Sequence, residues 1–293
     1  MSAPWLVCGS VPDETFAAEA DGLACGPCAL DGGRLRLDDR DIPVRRGTPA
    51  LLAACCAACA ALGLDPPQAL LAADAGRGAG SKKLYARLAD AMPRLAPRGL
   101  TFHYLFPDLA GHDRVLLAAL ALPARPLLLA DAGFMYAAKM SGQAAEYDLF
   151  TPDAGELAFL ADELAPHPFY TRGFLAGADA GPEELARRAW DTGGAARTLL
   201  VKGGRDLVVV RGAAVRSIDG PDFPAMEAIG GTGDTLTGMV TALVMSGREL
   251  SEACAAAARA NRILGALAAP TPATPVADLV PHVPAALRKA LAG

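Results

Sequence analysis

Short, largely apolar runs alternate along this chain with stretches whose apolar residues recur every three and four positions. The runs are residues 4–10, Gln68 to Ala73, Gly99 to Phe106, Pro126 to Ala130, Tyr147 to Phe150, Leu199 to Lys202 and Asp206 to Arg211. Continuous apolar runs bounded by turn residues predict strands buried on both faces. The helical spacing is clearest in Ala228 to Gly247, where Leu236, Met239, Val240, Leu243 and Val244 share one face and Gly247 is placed to end the helix. Residues Gly47 to Leu64 predict another helix, with Thr48 as N-cap, Pro49 in the first turn and Gly63 as terminator. Further helices are expected from about Leu84, over Arg114 to Leu122, from Leu157, and after Glu249, the last broken by Pro270 to Pro275. Strand and helix in alternation, joined by short loops, predict an α/β fold: a mainly parallel central sheet with helices on both faces, a three-layer sandwich. With no linker and no repeat, residues 1–293 read as a single domain. The irregular, charged stretch 11–46, with Asp31-Gly32-Gly33 as a hairpin signal, reads as an excursion or lid.

Composition narrows the classes. Of 293 residues 52% are hydrophobic and 20% charged, enough for a large core, and the net charge of −5 comes without a basic block that would suit nucleic acid. No apolar run is long enough to span a membrane. The N-terminus has no basic region before its apolar stretch, so no export signal is read and a reducing cytoplasm is expected. Seven cysteines then read as free thiols. Cys25-Gly26-Pro27-Cys28 matches a redox tetrapeptide, but that motif needs a helix beginning at its first cysteine, and Asp31-Gly32-Gly33 follows too soon. It reads as a loop pair. Cys55 and Cys59 share a helix face and read as small apolar fillers rather than metal ligands.

The candidate chemistry sits where apolar runs end. Gly230, Gly231, Thr232 and Gly233 precede Asp234 and the helix. A glycine turn feeding a helix offers backbone N–H groups at the positive end of the dipole, an anion site for phosphate. A carboxylate there repels the anion, so Asp234 reads as a base taking a proton from a hydroxyl under phosphorylation; the bland alternative is an N-cap. The stretch Asp74, Gly76, Gly78, Gly80, Ser81 follows a strand with glycines at alternate positions and divides evenly between a ligand loop and a structural turn. Asp131 ends one run, Thr151-Pro152-Asp153-Ala154-Gly155-Glu156 follows another, and Lys202-Gly203 follows a third. Each has a bland reading, as a cap, a first-turn acid or a solvated lysine. Their joint occurrence at strand ends favours a site. His103 and His112 read as packing or surface residues.

Gly-Gly-Thr-Gly-Asp-Thr-Leu-Thr-Gly with its following helix resembles the ribokinase-like superfamily. The Thr-Pro-x-x-Gly-Glu motif at Thr151 to Glu156, together with Leu-Leu-Leu-Ala-Asp-Ala-Gly at Asp131 and the Lys202-Gly203 turn, is similar to the ADP- or ATP-dependent NAD(P)H-hydrate dehydratases. The resemblance runs from about Asp131 to Leu287. It implies phosphorylation of a hydroxyl on the hydrated nicotinamide ring and elimination of phosphate to restore NAD(P)H. It also implies ADP or ATP as cosubstrate with Mg²⁺. Asp234 would be the catalytic base and Gly230 to Gly233 the anion hole. Lys202 and Gly203 would contact nucleotide, while Asp131, Thr151, Pro152, Asp153, Gly155 and Glu156 would contact substrate. A sugar- or vitamin-type kinase and a nucleotide-binding relative without turnover stay open. The expected partners are a small-molecule substrate and a nucleotide, with neither nucleic acid nor membrane, in a homo-oligomer.

Overall fold

The computed structural model describes residues 3–13, 16, 22–31, 33–38, 40–165 and 180–292. They fall into two compact units, one of Met1–Leu23 and Leu71–Ser217, the other of Ala24–Leu70 and Ile218–Gly293. The chain is α/β, with a large, mostly parallel sheet, as its pattern predicts.

Unit one is built on strands β1 (Trp5–Val11), β5 (Gln68–Ala73, its second half), β6 (Gly99–His103), β7 (Leu127–Ala130), β8 (Leu149–Phe150), β9 (Thr198–Val201), β10 (Asp206–Val210) and β11 (Ala213–Ile218). Their order across the sheet is β11-β10-β9-β8-β7-β6-β1-β5. Strands β1, β6, β7, β8 and β9 run parallel, and β10 turns back antiparallel on β9. Register places Cys8, Phe102, Ala130, Phe150 and Leu199 level with one another, so His103, Asp131 and Thr151 all leave the sheet at its carboxyl edge. The apolar runs are core: Leu128, Leu149, Phe150 and Leu200 are fully buried, and the Phe102 and Phe134 rings stack with centroids 3.9 Å apart.

Most helix starts move by a few residues from the sequence reading, and capping is the reason. The helix Leu109–Leu120 begins five residues before the expected Arg114, because the Asp108 carboxylate accepts from the Gly111 N–H. The helix Ala154–Ala161 begins at an Asp153–Glu156 capping box rather than at Leu157. The helix expected near Leu84 is Ala79–Leu95, so Gly80 and Ser81 are helical.

Unit two holds the antiparallel strands β2 (Leu23–Asp31), β3 (Arg34–Leu37) and β4 (Arg40–Ile42). The irregular reading of 11–46 is thus corrected over these spans; Gly32 of the hairpin signal lies outside the described residues. The Cys25–Cys28 pair sits within β2, not in a loop, and an offset of three puts the two on opposite faces, Cys25 exposed and Cys28 buried. None of the seven cysteines is joined in a disulfide, and among the described residues no three His, Cys, Asp or Glu side chains gather as a metal site. No described helix is long and apolar enough to cross a membrane.

The small-residue helix Thr48–Leu62 packs against Thr232–Met245. Gly47, not Thr48, is its N-cap, at φ 68°. Gly238 is the point of closest approach: a Cβ there would stand 2.2 Å from the Leu51 carbonyl oxygen and 3.0 Å from the Cys55 nitrogen. Alanine would gain about 1 kcal/mol in helix propensity, while overpacking costs typically 1–3 kcal/mol. Backbone atoms are what the new methyl meets, so overpacking should win. Gly238→Ala is expected to lower stability by up to about 2 kcal/mol in urea unfolding; a raised midpoint would show that the two helices can separate without cost.

Candidate active site

At the carboxyl edge of unit one, charge is gathered in a space that is mostly closed to water. Asp131 is 2% exposed and accepts from the Ala132 N–H at 2.9 Å, capping the helix Ala132–Met140. The same carboxylate takes two bonds from Lys202 Nζ, at 3.1 and 3.0 Å, and lies 3.7 Å from Nε2 of the buried His103. Ala132 is held at φ 50°, a left-handed conformation that costs a non-glycine residue about 1 kcal/mol and often marks a functional turn. Lys202 is fixed from its backbone too, its N–H donating to the Pro152 carbonyl at 2.8 Å.

Glu156 joins this cluster from the helix Ala154–Ala161. One oxygen accepts from the Tyr136 hydroxyl at 2.9 Å and the other from the Asp153 N–H at 2.9 Å, while the Asp153 carboxylate accepts from the Glu156 N–H at 2.8 Å. Burial pushes the Glu156 carboxyl up to about 7; Lys202 opposes this, and Asp131 and Asp153 add to it. A carboxyl that titrates near neutrality can exchange a proton at working pH. Thr151 and Pro152 are buried, Asp153 and Gly155 exposed.

The loop from Asp74 also lies at this edge, after β5. Its backbone is not open to an anion. The Asp74 carboxylate accepts from the N–H groups of Gly76 (3.1 Å), Arg77 (2.9 Å), Gly78 (3.0 Å) and Ser81 (2.8 Å), and from the Ser81 hydroxyl at 2.7 Å. Burial would raise this carboxyl, yet the donors win and hold it below the usual range. Asp74 thus occupies the place that a phosphate takes in phosphate-binding loops of similar shape. Gly80 permits tight packing rather than ligand approach, since its Cβ would stand 2.0 Å from the Ala73 carbonyl oxygen.

In unit two, Gly231 is the N-cap of Thr232–Met245, at φ 108°, and no side chain caps that helix. Asp234 is therefore not the cap but a residue of the first turn. Its carboxylate is 7% exposed and accepts from the Gly47 N–H at 2.5 Å, so it lies at the start of two helices at once. Both dipoles favour a negative charge there. The Thr232 hydroxyl donates to the Met226 carbonyl at 3.0 Å, and the Thr235 hydroxyl bonds Asn261 at 2.8 Å. Arg46 is exposed beside this turn, its Cδ 3.8 Å from where a side chain on Gly230 would begin.

Residues 112–284 match the family model described as NAD(P)H-hydrate dehydratase, more than half of the chain. The chain belongs to the NAD(P)H-hydrate dehydratase family. An uncharacterized protein of Methanocaldococcus jannaschii is 36% identical over 219 residues, covering 74% of this chain and 90% of that one. Among solved structures, the ADP/ATP-dependent NAD(P)H-hydrate dehydratase of Bacillus subtilis, co-crystallized with ATP/Mg²⁺ and soaked with CoA, superposes with TM-score 0.51 at 15% identity, over 96% of this chain and 91% of that one. A phosphofructokinase-2 mutant of Escherichia coli gives 0.54 at 15% identity, over 98% and 100% of the two chains. Pyridoxal kinase of Entamoeba histolytica gives 0.54 at 14%, over 97% and 96%. These likenesses establish the ribokinase-like fold.

For a member of the dehydratase family, the sequence singled out Asp131, Glu156 and Lys202, which unit one brings together. It missed Tyr136; His103, read as a packing or surface residue, is fully buried with Nε2 3.7 Å from Asp131. Tyr136 had no signal in the sequence, because its reach to Glu156 depends on how two helices pack. Arg46 was visible only as one charge of an arginine pair.

The sign of the Glu156 effect follows from its raised pKa. The folded state binds this proton more tightly than the unfolded chain, so the stability it contributes is full below the ordinary glutamate pKa and is lost as pH rises through about 7. Glu156→Gln keeps the capping geometry without the charge. It is expected to raise the thermal midpoint relative to wild type at pH 8, by an amount on the order of 1 kcal/mol after solvent screening, with the difference vanishing near pH 4. A constant offset at both pH values would mean that the carboxylate is not the cause.

Proposed function

We propose that the protein is an ADP- or ATP-dependent NAD(P)H-hydrate dehydratase acting through one ribokinase-like domain. The observation that carries this reading is the Asp234 carboxylate. It is buried, accepts from the Gly47 N–H, and stands in the first turn of a helix entered through Gly231. Such a carboxylate is placed to accept a proton, and such a turn to receive a phosphoryl group.

Asp234 takes the proton from the hydroxyl of the hydrated nicotinamide ring as that oxygen bonds to the terminal phosphorus of the nucleotide. The N–H groups of Gly231, Thr232 and Gly233, entered from Gly230, stabilise the charge on the phosphoryl oxygens. Elimination then breaks the carbon–oxygen bond, releases phosphate and a ring proton, and restores the double bond of NAD(P)H. Lys202 and Gly203 serve the nucleotide; Asp131, Thr151, Pro152, Asp153, Gly155 and Glu156 serve the substrate. Mg²⁺ would supply charge neutralisation on the phosphates.

Asp234→Asn tests the base. Asparagine accepts a hydrogen bond as aspartate does, so stability should change by less than about 1 kcal/mol. ADP or ATP affinity should hold or rise as a negative charge is removed. Recovery of NADH from hydrated NADH, followed by absorbance, should fall roughly 10²-fold or more. Normal turnover in the variant would remove Asp234 from the chemistry. Accumulation of a phosphorylated product without NADH in the wild type would make the protein a kinase instead.

A further inference from the structure

We infer that Tyr104 and Phe106 form a stacking subsite for a flat ring of the substrate, the nicotinamide or adenine of a dinucleotide. This rests on reading the carboxyl edge of unit one as the substrate side of a dehydratase. The two side chains are 52% and 41% exposed, although they lie on the loop that leaves β6 directly after the buried His103.

The backbone beneath the rings is fixed at every turn. The Ser10 hydroxyl donates to the Tyr104 carbonyl at 2.5 Å. The Phe106 N–H donates to the Ser81 hydroxyl at 3.0 Å, and the Tyr85 hydroxyl donates to the Phe106 carbonyl at 2.7 Å. Between them the Leu105 carbonyl lies against Gly133, only 2.1 Å from where a Cβ would stand, two residues beyond Asp131. The Phe106 ring lies over Gly78, whose Cβ would meet it at 2.9 Å. Three segments thus hold the loop while its two aromatic side chains stay partly exposed.

Tyr104 also carries φ 52°, a conformation that a bulky residue adopts only when its surroundings impose it. This conformation and the exposed apolar surface both cost stability. The rings are continuous with the ionic cluster. The Tyr104 and His103 ring centroids are 4.6 Å apart, and His103 Nε2 lies 3.7 Å from Asp131, which Lys202 also bonds. A ligand stacked on Tyr104 would have its polar substituents beside this charge. Exposed rings on a rigid base lose little side-chain entropy on stacking, and a base–aromatic contact is sequence-tolerant because every flat heterocycle has a π-face.

Calorimetric titration with NADH, in saturating ADP so that the nucleotide site is filled, reads the subsite directly. The double variant Tyr104→Ala/Phe106→Ala should bind NADH at least about tenfold more weakly. Tyr104→Phe, which keeps the ring, should bind as wild type does. Ribose 5-phosphate, which has no flat ring, should lose nothing in any variant. ADP affinity and the melting temperature serve as the fold control and should not fall. Equal NADH affinity in wild type and the double variant, or no NADH binding by ADP-loaded wild type, overturns the subsite. A wild-type oligomer that dissociates in the double variant overturns it too, and makes the surface an interface between copies. Ring binding that depends on Tyr104 and Phe106, with no dehydration of hydrated NADH, would sink the reaction and leave the subsite standing.

Discussion

Every α-helix begins with backbone N–H groups that no residue of the helix can accept, and much of this structure follows from how those groups are satisfied. Asp108, Asp131, Asp153 and Glu249 each accept from the first turn of the helix they precede. Asp74 does the same for the start of Ala79–Leu95, drawing four N–H groups and a hydroxyl onto one carboxylate. Glycine instead precedes Thr48–Leu62, Pro182–Asp191 and Thr232–Met245, whose N-cap residues offer no side-chain bond. The carboxylate in the first turn of Thr232–Met245, Asp234, is turned toward the start of another helix, at Gly47.

Buried charge is the second constraint. Asp131, Lys202 and Glu156 are held where water solvates them poorly, so each needs the others. Asp131 is bonded three ways, to Lys202 twice and to Ala132 once. Glu156 has a phenol and one backbone N–H, too little to hold a full negative charge against burial beside two other carboxylates, and its proton affinity rises toward neutrality. Stability alone would favour apolar residues here. A cluster that can take and release a proton is suited to chemistry, and the dehydratase family to which the chain belongs makes that use coherent.

The pattern of apolar runs and helical spacing determined the fold class, most of the strands and the order of the elements, because a buried parallel strand can hardly be written any other way. It also marked Asp131, Thr151 to Glu156, Lys202 and Gly230 to Asp234, since these stand where apolar runs stop and glycine or proline begins. The alanine- and cysteine-rich stretch announced close helix packing, and Gly238 shows what that closeness requires. Tertiary structure decided the rest. Whether the Asp74 loop is open to an anion depends on where one carboxylate swings, a torsion that spacing does not encode. Whether Cys25-Gly26-Pro27-Cys28 is a loop or part of a strand depends on its pairing with β3. That Tyr136 reaches Glu156, that His103 touches Asp131, and that Tyr104 and Phe106 remain exposed on a pinned loop are long-range facts. They arise from residues 20 or more apart in sequence meeting across packed elements, as Tyr136 and Glu156 do at 2.9 Å. Local periodicity records which face of an element is buried, but not which side chain from another element it meets there.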